Sequence, residues 1–314
     1  MNTSEQGTHS GSKIAFNTEM TFDYDVAVEM APGVRRIVAN NPSPFTFKGT
    51  NTYLVGCGDV AVIDPGPDDK AHLDAIIEAT MGERISHILI THTHRDHTDG
   101  VRPLKELTNA PILAFGQTGK QRGARTTSPS GRVFVDLDFT PDTQLRNGDI
   151  IRGNGWALDV IHTPGHAPDH LCFALTGERT VFSGDHVMGW NTTVVAPPEG
   201  NMSDYLESLK CLLERKDKVF FPGHGGRIES PQRVVRAYLL HRKMRESAIY
   251  RCLENGDEFI PQIVPRIYPS LDSKLVPAAA LSVLAHLEYL IHRDLVQCED
   301  LPAVIHSAFS IPRP

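Results

Sequence analysis

The segment THTHRDHTDG, Thr91–Gly100, follows directly on the apolar run His87–Ile90 and constrains this chain more than any other stretch. Alternate side chains of an extended strand point the same way, so His92 and His94 can aim both imidazoles at one point. Asp96 and His97 then fall at a turn able to re-aim a second pair of donors. Four nitrogen and oxygen donors within one short loop suit two borderline divalent ions held side by side.

Three further strand ends repeat the theme. DVIHTPGH sets His166 after a strand and a Pro-Gly turn, TVFSGDH sets Asp185 after another, and KVFFPGHGG sets His224 after a third. In open α/β folds ligand sites gather beyond the carboxyl ends of strands, so the four loops are expected to converge. His9, His72, His241, His286, His292 and His306 lie outside these strand-end motifs and read as structural. His170 and His186 adjoin the motifs and read either as supports of the donors or as hydrogen-bonded structural residues.

From Val26 to Arg227 short β-branched runs alternate with amphipathic segments, an α/β pattern. Strands are expected at Asn51–Val55, Val60–Ile63, His87–Ile90, Ile112–Phe115, Ala157–Ile161, Leu171–Ala174, Thr180–Phe182 and Val219–Phe221. One helix starts at Asp69 with Leu73, Ile76, Ile77 and Met81 inward; another starts at Ser203 as N-cap, with Tyr205, Leu206, Leu209 and Leu212 inward. Gly116–Arg132 reads as a long polar loop, suited to a lid or binding role, and Lys120, Arg122 and Arg125 in it suit the anionic end of a cofactor-linked substrate. After Pro231 the pattern turns helical: Gln232–Glu254, Phe259–Tyr268 and Val276–Ile291, then a hairpin within Leu295–Phe309. The expected organisation is a flexible N-terminus over 1–24, a catalytic domain over 25–228 and a small, mainly helical domain over 229–314.

Composition narrows the partners. Thirty-one basic against 38 acidic residues give a net charge of −7, which argues against a surface built to grip long polyanions. Arg233, Arg236, Arg242, Lys243, Arg245 and Arg251 make one basic helix, which reads first as a solvated face and second as a nucleic-acid surface. The five cysteines are scattered without a C-x-x-C pair, which fits a reduced, cytoplasmic setting and excludes cysteine ligation. The apolar stretch Leu275–Ile291 is interrupted by His286 and Glu288 and falls short of the roughly 20 apolar residues a bilayer requires, so no membrane span is expected. The polar start MNTSEQGTHSGSK lacks the apolar core of a signal peptide, so export by that route is not expected.

The order His92-x-His94-x-Asp96-His97, then His166, Asp185 and His224, resembles the full two-metal ligand set of the metallo-β-lactamase fold family. The resemblance implies a four-layer αββα sandwich. It implies that His92, His94 and His166 hold a first zinc, that Asp96, His97 and His224 hold a second, and that Asp185 bridges them. Asp64, in VIDPGP, matches the family's earlier acidic motif, whose implied task is to orient a ligand imidazole. GTNTYLVG, HTPGHAPDH, HRKMRE and the helical tail further resemble the beta-lactamase-like protein two branch, which carries a C-terminal winged-helix domain.

Two divalent ions about 3.5–4 Å apart can share a water and lower its pKa towards neutrality, giving a bridging hydroxide as nucleophile. Asp96 is implied to orient that water and move its proton as well as to ligate. A thiolate leaves readily, so a thioester or small ester is an easier substrate than an amide. The leading expectation is therefore a two-zinc hydrolase of a small ester or thioester, with Mn2+ or Fe2+ as other occupants. The alternatives are a metal-dependent single-strand endoribonuclease, an iron persulfide dioxygenase that leaves Asp96, His97 and His224 without metal, and a non-catalytic regulatory metal-binding protein.

Overall fold

The computed structural model describes residues 16–116 and 134–312. The loop expected over Gly116–Arg132, with Lys120, Arg122, Arg125 and Arg132, lies outside the described residues apart from Gly116. The first sheet carries β1 (Val28–Ala31), β2 (Val34–Val38), β3 (Asn51–Val55), β4 (Asp59–Ile63), β5 (Arg84–Leu89), β6 (Ile112–Ala114) and β7 (Thr143–Gln144), in that order across the sheet. The strands β1 to β4 pair antiparallel, and β4 to β7 pair parallel. Parallel neighbours need crossovers, supplied by α1 (Lys70–Ala79), then by α2 (Arg95–Thr98) and α3 (Val101–Thr108). The second sheet runs β12-β11-β10-β9-β8, from β8 (Ile150–Arg152), β9 (Ala157–His162), β10 (Leu171–Leu175), β11 (Thr180–Gly184) and β12 (Val219–Pro222), with α4 (Met202–Glu214) crossing between β11 and β12.

Three apolar cores between these elements make four layers. Ile37, Leu54, Val60, Val62 and Ile88 pack against Leu73 and Ile76 of α1 and Val101 and Leu104 of α3. Tyr53, Val55, Ile63 and Leu89 meet Leu158, Val160, Phe173, Phe182 and Phe221 between the sheets. Cys172, Val181 and Phe220 pack outward on Tyr205, Leu209 and Leu212 of α4. The strands β4 and β10 are therefore apolar on both faces, and the alternation that marks a half-exposed strand is lost there.

This topology brings the candidate donors to one edge. The parallel strands β4 and β5 end together, as do β11 and β12; two antiparallel steps through β10 restore the direction of β9 to that of β11. Asp64, the Thr91–His97 segment, His166, Asp185 and His224 all follow the carboxyl ends of these five strands. The sheets are joined at the same edge. Asn51 Nδ2 donates to the carbonyls of Pro222 and Gly225 (2.9 Å each), the Tyr53 hydroxyl donates to Pro222 (2.8 Å), and Leu171 N–H donates to Thr91 (2.7 Å).

Several local expectations are corrected. Ile77 is 37% and Met81 79% exposed, because the helix from Asp69 has ended before Met81 and only Leu73 and Ile76 face the sheet. The N-cap of α4 is Asn201, whose side chain accepts from Asp204 N–H, rather than Ser203. Within the expected flexible terminus, residues 16–24 are tied down: Asn17 N–H donates to Gly189 O (2.9 Å), Arg36 reaches Thr21 O, and Tyr24 bridges Val38.

The C-terminal segment comprises α5 (Pro231–Glu254), α6 (Ile260–Ile267), a 3-10 turn, α7 (Val276–His292) and the short pair β13 (Gln297–Cys298) and β14 (Phe309–Ser310). Its own core gathers Ile249, Leu253, Ile260, Ile263, Val283, Leu284, Leu287 and Phe309. The helix α5 is shared: Val235 and Tyr238 belong to the outer core of the second sheet, Ile249, Cys252 and Leu253 to the C-terminal core. Together with the 3-10 turn, α7 spans the 20 residues Ser273–His292 and is long and apolar enough to cross a membrane by length and composition alone, contrary to the shorter apolar stretch read from the sequence. Here its Val283, Leu284, Ala285, Leu287 and Leu290 are buried in the two cores.

Gly165 adopts φ +133°, and a Cβ there would sit 2.3 Å from Tyr205 Cα. Gly165→Ala is therefore expected to lower stability by about 1–3 kcal/mol, read as a lower urea midpoint at unchanged m-value; an unaltered midpoint would show that the turn can move aside.

Candidate metal centre

Each of the five strand-end imidazoles spends one ring nitrogen on an outer partner. His92 Nδ1 meets the Thr91 hydroxyl (3.0 Å), His94 Nε2 meets Glu199 Oε2 (3.1 Å), and His97 Nδ1 meets Asp64 Oδ2 (2.9 Å). His166 Nδ1 faces the Val194 carbonyl (2.7 Å) and His224 Nδ1 the Gly49 carbonyl (3.2 Å). Such outer partners fix ring orientation and leave the opposite nitrogen free to ligate. His94 turns Nδ1 inward and the other four turn Nε2 inward.

The inward nitrogens crowd one another. His94 Nδ1 lies 2.9 Å from His92 Nε2 and 3.1 Å from His166 Nε2. Nitrogens bound to one tetrahedral zinc at 2.0–2.1 Å stand about 3.3 Å apart, so this triangle is close to the size a single ion needs. Asp96 Oδ2 lies 3.3 Å from His97 Nε2 and 3.2 Å from His224 Nε2, a second grouping. Asp185 reaches both, with Oδ2 3.8 Å from His166 Nε2 and 3.3 Å from His224 Nε2, and Oδ1 3.7 Å from His97 Nε2. His97 Nε2 and Asp185 Oδ1 are buried without a hydrogen bond, a costly state unless a cation sits between them. The donors thus fit two divalent ions, and all seven residues expected to ligate are brought together.

Asp64 accepts from Thr91 N–H and from the Thr91 hydroxyl (2.8 Å each) as well as from His97. It therefore orients His97 directly and His92 through Thr91. Thr50 supports Asp96 (3.3 Å), and Asp169 accepts from Thr93 N–H (3.1 Å) to hold the His-x-His turn. Gly223 is required by space: a Cβ there would lie 2.5 Å from Asp185 Oδ1 and 2.9 Å from His97 Cε1. Sequence reasoning missed Thr50, Thr91, Asp169 and Glu199, and missed the carbonyls of Gly49 and Val194, which no side-chain signature marks. The site opens on one side, where the Asp96 side chain is 30% and that of His94 17% exposed.

Residues 45–224, which hold all seven donors and Asp64, match the metallo-beta-lactamase superfamily. The chain belongs to the metallo-β-lactamase superfamily. It is a metal-dependent hydrolase of that family, and residues 260–301 match the beta-lactamase associated winged helix domain. Among its relatives is the Beta-lactamase-like protein 2 homolog of Drosophila melanogaster, 33% identical over 83% of this chain and 88% of that one. Another is an Atrochrysone carboxyl ACP thioesterase of Aspergillus fumigatus, 30% identical over 72% of this chain and 66% of that one, so this chain spans about two thirds of the fungal relative. In the solved structures, a metallo-beta-lactamase family protein from Thermus thermophilus shares the fold with a TM-score of 0.73, at 22% identity over 90% of this chain and all of that one. A Beta-lactamase domain protein from Burkholderia ambifaria does so at 0.77, with 20% identity over 94% and 96%.

The basic helix of this superfamily member is not uniformly solvated. Arg233, Lys243 and Arg251 line an open groove of about 1220 Å3 along α5, floored by Ala237, Leu240 and Met244. Arg242, by contrast, is 3% exposed, and Arg245 stacks over Tyr268 and donates to Ile267 O, which corrects the single solvated face read from sequence.

Without metal the imidazoles divide by their neighbours. Burial, joined by neighbouring imidazoles, holds His92 well below the ordinary histidine value and lowers His166, whereas for His94 burial is outweighed by the Glu199 carboxylate, which raises it. Burial acts the same way on His97 and His224, but Asp96, Asp64 and Asp185 outweigh it for His97 and the two carboxylates Asp185 and Asp96 raise His224 to about 9. Burial would raise Asp96 and Asp185, yet His97 and His224 hold both well below the usual carboxylate range. The signs set a pH window. Raised, His224 stabilises the metal-free fold fully below 6.5 and loses that contribution as pH rises through about 9, and His97 acts in the same direction, while the lowered carboxylates contribute above 3.8 and lose it on acidification. A divalent ion held by His224 would have to displace its proton, so metal affinity should climb about tenfold per pH unit up to about 9 for each proton released. Chelator competition from pH 6 to 9 and melts of the metal-free protein at pH 5 and 9 check this; a pH-independent affinity would contradict it.

Proposed function

We propose that this chain is a dinuclear zinc thioesterase, acting on a thioester of carrier type or a small ester. The observation that carries the reading is the pair of donor groupings sharing Asp185 on the open side of the sandwich. Five imidazoles with carboxylates and no cysteine suit zinc, with manganese or iron as competing occupants. In this reading His92, His94 and His166 hold one ion, Asp96, His97 and His224 the other, and Asp185 both. When bound, the ions would supply an activated water and a Lewis acid for the substrate carbonyl.

The chain's own residues do the rest. Asp96 is the most exposed of the donors; with Oδ2, steadied by Thr50, turned to His97 and His224, its other carboxylate oxygen would be left to orient the attacking water. Glu199 fixes the His94 ring at the mouth, and Asp64 fixes His97 and His92 beneath it. A thiolate departs without needing a proton, which favours thioesters over amides for a site whose acids are ionised. Relatives named as acyl-carrier thioesterases support the same substrate class.

Two measurements test the proposal. Zinc-loaded protein should turn over a glutathione thioester or an aryl ester but not single-stranded RNA, and Asp96→Asn should lose at least about 100-fold of that rate. RNA cleavage that disappears in the same variant would replace the thioesterase reading. Asp185→Ala should fold yet lose at least one metal by mass-spectrometric metal counting; full metal content and full turnover would remove the bridge.

A further inference from the structure

The segment from Asp185 to Val194 serves the metal centre at both of its ends. Asp185 faces both donor groupings, and the Val194 carbonyl takes the outer nitrogen of His166 (2.7 Å). The segment contains no helix or strand and is held by side chains instead. The Thr193 hydroxyl bonds back to the carbonyls of Asp185 (2.8 Å) and His186 (3.1 Å). Tyr205 of α4 donates to the His186 carbonyl (2.9 Å). From α5, the Tyr238 hydroxyl meets the carbonyls of Met188 and Asn191, and one turn later Arg242 Nη2 donates to the Thr193 carbonyl.

Arg242 is unusual for its place. Its guanidinium lies 5.2 Å over the Tyr205 ring, it is 3% exposed, and its Nε is buried without a hydrogen bond. Among the described residues Arg242 forms no ion pair, and its guanidinium is held by the Thr193 carbonyl and the Tyr205 ring. Burying a cation without an acid is expensive, and such a group is kept where its fixed donors hold something in place. Here that is the backbone of the donor loop, one residue before the carbonyl that orients His166. The helix that carries Arg242 runs on into the C-terminal core through Ile249, Cys252 and Leu253.

We propose that Arg242 is a positioning residue of the metal centre. By holding the Thr193 carbonyl it fixes the loop that presents Asp185 and orients His166, and it couples that loop to the helix shared with the winged-helix domain. The inference rests on the metal-centre reading above.

The test compares the full-length protein with Arg242→Met, Arg242→Lys and Tyr238→Phe. Zinc affinity is read by competition with a chromophoric chelator, coordination by the visible absorption of the cobalt-loaded protein, and folding by far-ultraviolet circular dichroism and melting. Arg242→Met is expected to keep its helical signal, to bind zinc 10- to 100-fold more weakly and to shift the cobalt bands. Arg242→Lys, which keeps a charged donor, recovers most of the affinity; Tyr238→Phe, which removes one hydroxyl and keeps the ring, weakens binding less than Arg242→Met. Wild-type affinity and an unmoved cobalt spectrum in Arg242→Met, or in Tyr238→Phe should Arg242→Met fail to fold, would overturn the proposal, even with a lowered melting temperature. Failure of the wild-type protein itself to bind zinc or cobalt would instead overturn the metal-centre reading.

Discussion

Two imidazole nitrogens, His92 Nε2 at 2.9 Å and His166 Nε2 at 3.1 Å, crowd on the Nδ1 of His94, and there are too few hydrogens to reconcile the three. With Nδ1 of His92 and His166 donating to Thr91 and Val194, both of their Nε2 atoms present lone pairs. If His94 donates to Glu199 through Nε2 and is neutral, its Nδ1 presents a third lone pair; if it is charged, one hydrogen faces two acceptors. Either way lone pairs oppose each other in a buried space, and a cation is the group that turns the repulsion into binding. The rest of the fold serves this constraint, since strands from two sheets must end together for the three rings to meet.

Two of the joints that bring those ends together are polar contacts, one within the first sheet and one between the sheets. Asp64 is held at φ +52°, a conformation that Asp tolerates better than most residues, so that its carboxylate turns from the end of β4 to Thr91 and His97 beyond β5. Asn51 and Tyr53 attach the end of β12 to β3, which places His224 against Gly49. The motifs VIDPGP and GTNTYLVG therefore act by position, through hydrogen bonds to backbone and to neighbouring side chains, rather than by ligation.

Much of this was legible in the sequence because strand ends rich in His and Asp have few other uses. All eight expected strands are present, since the apolar residues of their runs are largely buried; β1, β2, β7 and β8 were missed, as charged or exposed residues interrupt their pattern. The seven donors could be read from their motifs, and Asp64 from its resemblance to the family's acidic motif, but the other outer partners could not. Glu199 lies 105 residues from His94, and backbone carbonyls carry no signature at all. Arg242 looked like one more charge on a solvated helix because helical periodicity shows which residues share a face but not what later packs against it. The same limit explains Ile77 and Met81, apolar residues beyond the reach of the sheet.

The central claim is that the seven strand-end donors hold two ions. Diffraction from zinc-loaded crystals on either side of the zinc absorption edge tests it most directly. The account predicts two anomalous peaks about 3.5–4 Å apart, one among His92, His94 and His166 and one among Asp96, His97 and His224, with Asp185 between them. A single peak at the first grouping, with Asp96, His97 and His224 bound to one another in place of metal, would contradict it.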